Sequence, residues 1–434
     1  MSSHPSNNDR VSIPTRRWLC ILALVTAGEA IFFLPFVLPR VFRPTLLDVF
    51  GLTNFELGLA FSLYGVTAMI AYFPGGPLAD WFDSRKLMAV ALVTTAIGGL
   101  VMAAYPSVLT LKILYAYWGL TTILLFWAPL IRETRVWGGE RLQGRAFGLL
   151  DGGRGLVAAL IASSAVWLFS VFMPDELETT SLEWKRQALR QVIFLFAGIT
   201  FGSAIFIWIA IPRRVQPRVV AAEPFRLRGM GKVLAMPTVW LQSLVVVCAY
   251  VGYKGLDDVS LYARDVLRFD DVAAARTSTL SMWIRPVAAI AAGFLADRYG
   301  AARMSIASML VFGLGCLSIA VGMLRPGMTG LFLAILVSTS AAVFALRGLY
   351  FALMQEARVP LGLTGTAVGI VSVIGYTPDV FMGPLTGYLL DRWPGEAGHQ
   401  WVFAVLSVAA FLGLIVSMLF WRLARQGVMT SPGA

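Results

Sequence analysis

A chain of 434 residues with 58% apolar and 14% charged residues carries far fewer charges than the roughly 25% of an ordinary soluble domain. Most of it must therefore face lipid or pack inside a bundle that does. The formal net charge is +11, but the basic residues sit in short clusters between apolar runs, a pattern of membrane topology rather than of a nucleic-acid face.

The tail 1–17 is polar and ends on Arg16 and Arg17. The apolar segment after it lacks a small-residue cleavage site near its end and is expected to be an uncleaved first span. Windows of about 20 apolar residues, enough to cross a bilayer, place spans at 18–38, 56–78, 87–105, 109–131, 146–172 and 191–211. A second set follows at 239–262, 277–296, 304–323, 330–353, 365–390 and 401–421. Between the sets lies a basic linker, 212–237, with Arg213, Arg214, Arg218, Arg226, Arg228 and Lys232. The expected organisation is a six-helix bundle over 18–211, the linker, a second bundle over 238–422 and a tail, 423–434. The stretch from Pro174 to Arg190 reads as a solvated loop or surface helix. Of the 35 Lys and Arg, 20 fall on the side of the termini, 11 on the other and four deep within spans, so both termini are expected in the cytoplasm.

The two sets repeat one another. Residues 75–86 read GGPLADWFDSRK and 292–303 read AGFLADRYGAAR, each closing an apolar run. RETRV (132–136) matches QEARV (355–359), and GRAFGLL (144–150) matches GTAVGIV (365–371). Internal duplication puts a substrate path at the interface of the halves. Together these features resemble the major facilitator superfamily of secondary transporters, over almost the whole chain. The resemblance implies an all-α integral membrane protein with twelve transmembrane helices in two pseudo-symmetric bundles. It also implies that the repeated loops are cytoplasmic gates that lock the halves in the outward-facing state. The gating residues carried over are Gly76, Asp80, Arg85 and Lys86, with Gly293, Asp297, Arg298 and Arg303 in the second copy. The first copy departs from the pattern, with Trp81 where Arg is usual and Asp83 where Gly is usual. Span 5 has Gly148, Gly152, Gly153 and Gly155 without the proline of the family's antiporter motif, whereas Gly383-Pro384 and Gly387 occur in span 11. The general look is similar to the organic-anion and sugar-phosphate permease branches.

A charge at mid-bilayer costs roughly 2.5 to 3.5 kcal/mol on insertion scales, so the ionisable residues within spans must face water or a counter-ion. At a rise of about 1.5 Å per residue, Glu29, Arg154, Arg285 and Asp379 come out near midplane. Asp151 and Arg347 lie nearer the cytoplasm and Lys254 nearer the outside. Burial disfavours the charged form of a lone carboxylate, which makes Glu29, Asp379 and Asp151 the proton-coupling candidates. Arg285, beside Trp283 and before Pro286, is the leading substrate-binding candidate because its planar fork suits a carboxylate, phosphate or sulfonate. It could instead pair permanently with Glu29 or Asp379. Arg154, Arg347 and Lys254 complete the substrate set. Arg154 is three residues from Asp151 and Lys254 is three and four from Asp257 and Asp258, so local pairs are the competing reading. Tyr64, Trp127, Tyr250 and Tyr376 could line a cavity.

Cys20, Cys248 and Cys316 show no metal-ligand spacing and read as packing residues. His4 lies in the polar tail and His399 in a Pro/Gly-rich loop, which leaves no histidine for a proton relay. No GxSxG elbow, P-loop or His/Asp metal cluster is present to support a membrane enzyme or a cofactor. The function expected is secondary transport of a small anionic or zwitterionic organic solute, proton-coupled, by a monomer in the cell membrane with no nucleic-acid partner. The alternative is a proton-driven exporter of cationic or lipophilic compounds.

Overall fold

A computed structural model describes residues 15–139, 143–173, 181–213, 227–350, 352–357, 359 and 364–429. Arg214, Arg218 and Arg226 of the linker, Pro174, His4 and Arg358 lie outside the described residues. Within them every regular element is helical. Twelve helical segments are long and apolar enough to cross a membrane. Spans 1 to 6 are Arg17–Val41, Asn54–Trp81, Ser84–Ala103, Val108–Gly138, Ala146–Val171 and Leu182–Ala210. Spans 7 to 12 are Pro237–Asp265, Asp271–Tyr299, Ala301–Ala320, Thr329–Leu349, Ala367–Arg392 and Glu396–Gln426. These are the twelve expected spans, most with longer ends, while span 10 stops at Leu349, short of the expected 353. Span 6 starts at Leu182, because its amphipathic first turns are helical without being apolar enough for a hydropathy window.

Polar residues punctuate the helices. Thr53 and Glu56 form a reciprocal capping box at the start of span 2, satisfying amides that have no partner within the helix. Asp83, the departure in the first repeated loop, accepts from the amide of Arg85 at 2.8 Å and caps span 3. Asp270 does the same for span 8, through the amide of Ala273 at 2.7 Å.

Several spans leave the regular α-helix beside the molecular centre. Span 1 widens into a π turn at Phe33–Val37 around Pro35. There the amide of Val37 donates to the carbonyl of Phe32 at 3.2 Å. Span 4 has a second π segment, Leu120–Trp127. Span 7 tightens into a 3-10 turn at Leu256–Asp258. Pro286 sits within span 8, and span 11 breaks after Gly375 to restart at Pro378. Proline removes a backbone donor, and wide turns cluster where function needs irregular backbone.

Spans 1–6 and 7–12 are joined at the end opposite the repeated loops. Spans 2 and 11 meet there backbone to backbone. A Cβ on Gly58 would strike the carbonyl of Gly383 and lie 2.8 Å from the nitrogen of Pro384, and one on Gly387 would lie 2.6 Å from the Cα of Phe55. Asp391 of span 11 accepts from the amides of Asn54 and Phe55 at 3.0 and 2.8 Å, so a residue of one half caps a helix of the other. Lys185 bridges Asp48 and Asp271, each at 2.8 Å, and Arg264 reaches Asp48 at 2.8 Å. At the end bearing the repeated loops, no hydrogen bond or ion pair between described residues joins the halves.

Candidate functional site

A cavity of about 130 Å³ lies between the halves, lined by residues of spans 1, 2, 4, 5, 7, 8, 10 and 11. Its walls are largely aromatic and include Tyr64, Trp127, Tyr250 and Tyr376. Six of the seven candidates for substrate or proton binding line it directly: Glu29, Arg154, Lys254, Arg285, Arg347 and Asp379. Asp151 joins them through an ion pair.

Two charge networks cross the cavity. In the first, the Glu29 carboxylate stands between Arg154 of its own half at 3.1 Å and Arg285 of the other half at 3.3 Å. Arg285 also reaches Asp151 at 3.2 Å. Asp151 is only 4.0 Å from Arg154, so the local pair that sequence proximity suggests gives way to a pair across the interface. The Arg154 guanidinium lies 5.6 Å from the ring centres of both Phe32 and Trp127. Tight backbone positions allow this crowding: a Cβ on Gly155 would meet the Arg285 side chain at 3.3 Å.

The second network holds Lys254, which reaches Asp257 at 3.0 Å and Asp379 at 3.6 Å. The other expected partner, Asp258, pairs instead with Arg43 at 3.1 Å, because the 3-10 turn sends the two neighbouring carboxylates to different sides. Asp257 also accepts from Arg40 at 2.6 Å, across the halves. Asp379 accepts from the Tyr250 hydroxyl at 2.9 Å. The break in span 11 puts Asp379 in the first turn of a new helix segment, where a carboxylate is favoured.

Arg347 stands apart. Its guanidinium carbon lies 3.8 Å from the ring centre of Tyr253, whose other neighbour is Arg40 at 4.4 Å. Its Nη1 is buried without a hydrogen-bond partner, and no carboxylate of the described residues lies within 4.0 Å. Every cavity carboxylate has a basic partner, whereas this base has no acidic one.

The repeated loops are disengaged in this conformation. Asp80 lies 3.8 Å from Arg132 of its own half. Arg85 packs 4.3 Å from the ring centre of Trp208. Asp297 is exposed. Arg298 lies on Tyr299 at 5.3 Å and Arg303 on Trp421 at 5.5 Å. Gly76 and Gly293 have open space where a Cβ would go. Lys86, like the others, makes no ion pair with the opposite half among the described residues.

Arg40 and Tyr253 escaped the sequence reading. Arg40 follows Pro39, where an apolar window ends, so it counts as a loop residue until the helix is seen to continue to Val41. Carrying the helix past proline would have found it. His399 is not in a loop: it lies in the helix Glu396–Met429. It is fully buried, with Nε2 3.2 Å from Asp265 and its ring edge-on to Tyr262. It is remote from the cavity.

Comparison with known proteins agrees with this architecture. The chain is 28% identical to the inner membrane protein YqcE of Escherichia coli over 426 residues, covering 96% of this chain and 97% of that one. It is 24% identical to the inner membrane protein YihN of the same organism over 418 residues, covering 95% and 97%. The fold matches a bacterial homolog of the human lysosomal transporter Spinster, solved in an inward-facing and unoccupied conformation. That match has a TM-score of 0.71 at 16% identity and covers 97% of this chain and 100% of the other. It also matches the nucleoside transporter NupG with a TM-score of 0.69 at 13% identity, covering 94% and 99%. The sequence profile of the Major Facilitator Superfamily matches residues 19–376. With twelve spans, a cavity between two six-span sets and that match, the chain belongs to the Major Facilitator Superfamily and is a multi-pass membrane transporter rather than an enzyme.

Proposed function

We propose that the protein carries a small organic anion across the inner membrane by alternating access, the two halves rocking about the central cavity. The observation that carries this reading is the charge pairing: Glu29, Asp379 and their neighbours each face a base, while Arg347 faces no acid. An anionic group is the complement such a cavity lacks. A cationic solute would have to displace a base from its carboxylate, which disfavours the exporter reading. With both termini cytoplasmic, as the Lys/Arg asymmetry suggests, the conformation described is inward-facing. The gating residues Asp80, Arg85, Lys86, Asp297, Arg298 and Arg303 then engage when the halves tilt the other way. A single chain supplies every group around the cavity, so the working unit is a monomer.

Proton coupling runs, in this reading, through Glu29 or Asp379, with Asp151 as a third acceptor. A proton on Glu29 removes the carboxylate that joins Arg154 to Arg285 across the halves, which links protonation to their separation. The test is uptake and counterflow in proteoliposomes with anionic and cationic solutes, with and without a pH gradient. Flux of cations alone overturns the proposal. Arg285→Ala with unchanged anion uptake removes Arg285 from substrate binding. Glu29→Gln is expected to spare exchange of a dianion, whose second charge replaces the lost carboxylate, and to abolish pH-driven accumulation; a variant still fully driven by protons removes Glu29 from coupling.

A further inference from the structure

We infer that the cargo enters the cavity with one net negative charge, as a monoanion alone or a dianion accompanied by one proton, and that Arg347 receives its anionic group. The inference rests on the reading of this cavity as an anion site and adds the charge that site accepts.

The networks around the cavity contain the bases Arg40, Arg154, Lys254, Arg285 and Arg347 and the acids Glu29, Asp151, Asp257 and Asp379. The adjacent Arg43 and Asp258 neutralise one another. One positive charge is left over, and geometry assigns it to Arg347, because the other four bases are held in ion pairs. A single anionic group on Arg347 makes the loaded cavity neutral. A second negative charge finds no free base and must either break an ion pair or arrive with a proton that neutralises one of the carboxylates.

The same balance determines which form of the protein crosses between conformations. Closing both ends around the cavity withdraws water from it, and an uncompensated charge is costly in that setting. The loaded, neutral cavity passes; the empty cavity, with its excess charge, is held back. Exchange of one anion for another therefore outpaces net efflux. Tyr72 and Tyr376 line the cavity, and their hydroxyls make no hydrogen bond with a described residue, which suits them to polar groups on the body of the solute.

The experiment uses the full chain in proteoliposomes, with lactate, gluconate and benzoate as monoanions, succinate and malate as dianions and choline as the cation. Monocarboxylate counterflow is expected to be flat between about pH 6 and about pH 8, where these acids stay ionised. Dicarboxylate counterflow is expected to fall about tenfold per pH unit over that range, because its proton becomes scarce. Arg347→Gln should lower monocarboxylate exchange by about tenfold to a hundredfold, the value of a charged hydrogen bond, and Arg347→Lys should restore part of it. A readout that needs no solute is thermal unfolding of the purified protein. Removing an uncompensated buried charge should raise the melting midpoint in Arg347→Gln, whereas Arg154→Gln, which strips Glu29 of a partner, should lower it. A flat pH profile for dicarboxylates, undiminished exchange in Arg347→Gln, or a lowered midpoint in that variant overturns the inference while leaving anion transport intact. Choline flux without any anion flux overturns the anion reading itself.

Discussion

The contact between spans 2 and 11 gives a sharp mechanical prediction. In Gly58→Ala the new Cβ would lie 2.8 Å from the nitrogen of Pro384, with ordinary contact beginning at 3.4 Å. The overlap is about 0.6 Å, and it is worse against the Gly383 carbonyl. Both obstacles are backbone, so no flexible side chain can yield. Overpacking of this kind costs about 1–3 kcal/mol. If the strain falls only on the joined arrangement, the equilibrium shifts toward the parted one by about 5- to 150-fold. Hydrogen–deuterium exchange at the amides of Asn54 and Phe55, which Asp391 protects across the interface, reads the shift directly. Gly202→Ala is the matched control, because nothing lies within 4 Å of its Cβ position and it belongs to neither the seam nor the repeated loops. If exchange in Gly58→Ala stays within about twofold of wild type, or if the control accelerates it equally, the seam does not hold the halves together and the reasoning fails.

Three further outcomes follow from the same contacts. Asp391→Ala removes the cap on span 2 and should cost about 1–2 kcal/mol, seen as a lower melting midpoint and faster exchange at the same two amides; Asp391→Asn should lose only part of this. Lys185→Met removes one of the two bases that Asp48 and Asp271 share, leaving Arg264, so opening of this end should become less sensitive to added salt than in wild type. In a double-mutant cycle, Arg154→Gln alone should cost about 1–3 kcal/mol, because Glu29 loses one of its two bases and keeps Arg285, and adding Glu29→Gln should recover part of the loss.

The spans were legible in the sequence because a bilayer selects for long apolar runs, and the repeated Leu-Ala-Asp loops marked the duplication. The intramembrane charges were legible one at a time, since each interrupts an apolar run. Their pairing was not. Asp151 sits three residues from Arg154 yet turns toward Arg285, because Arg154 is drawn to Glu29, and only the rotation and approach of spans 5 and 8 decide this. Arg347 ranked behind Arg285 in the sequence, since the absence of an acidic partner is a property of the packed structure. Arg40 was hidden by Pro39, and His399 by Pro394 and Gly395, which end the preceding turn just before a buried helix begins. The conformation could not be read either, because the same loop residues serve the engaged and the disengaged arrangement.

The wide turn in span 1 sets the phase of the two charge networks. An uninterrupted α-helix advances about 100° per residue, which would aim Glu29 and Arg40 within about 20° of one another. The π turn at Phe33–Val37 takes up one additional residue, which swings them about 80° apart. One helix thereby presents an acid to Arg154 and Arg285 and a base to Asp257, as a cam presents two lobes to two followers. Restoring an unbroken α-helix of the same length would bring both lobes onto one side, so that Glu29 facing Arg154 and Arg285 would be incompatible with Arg40 facing Asp257.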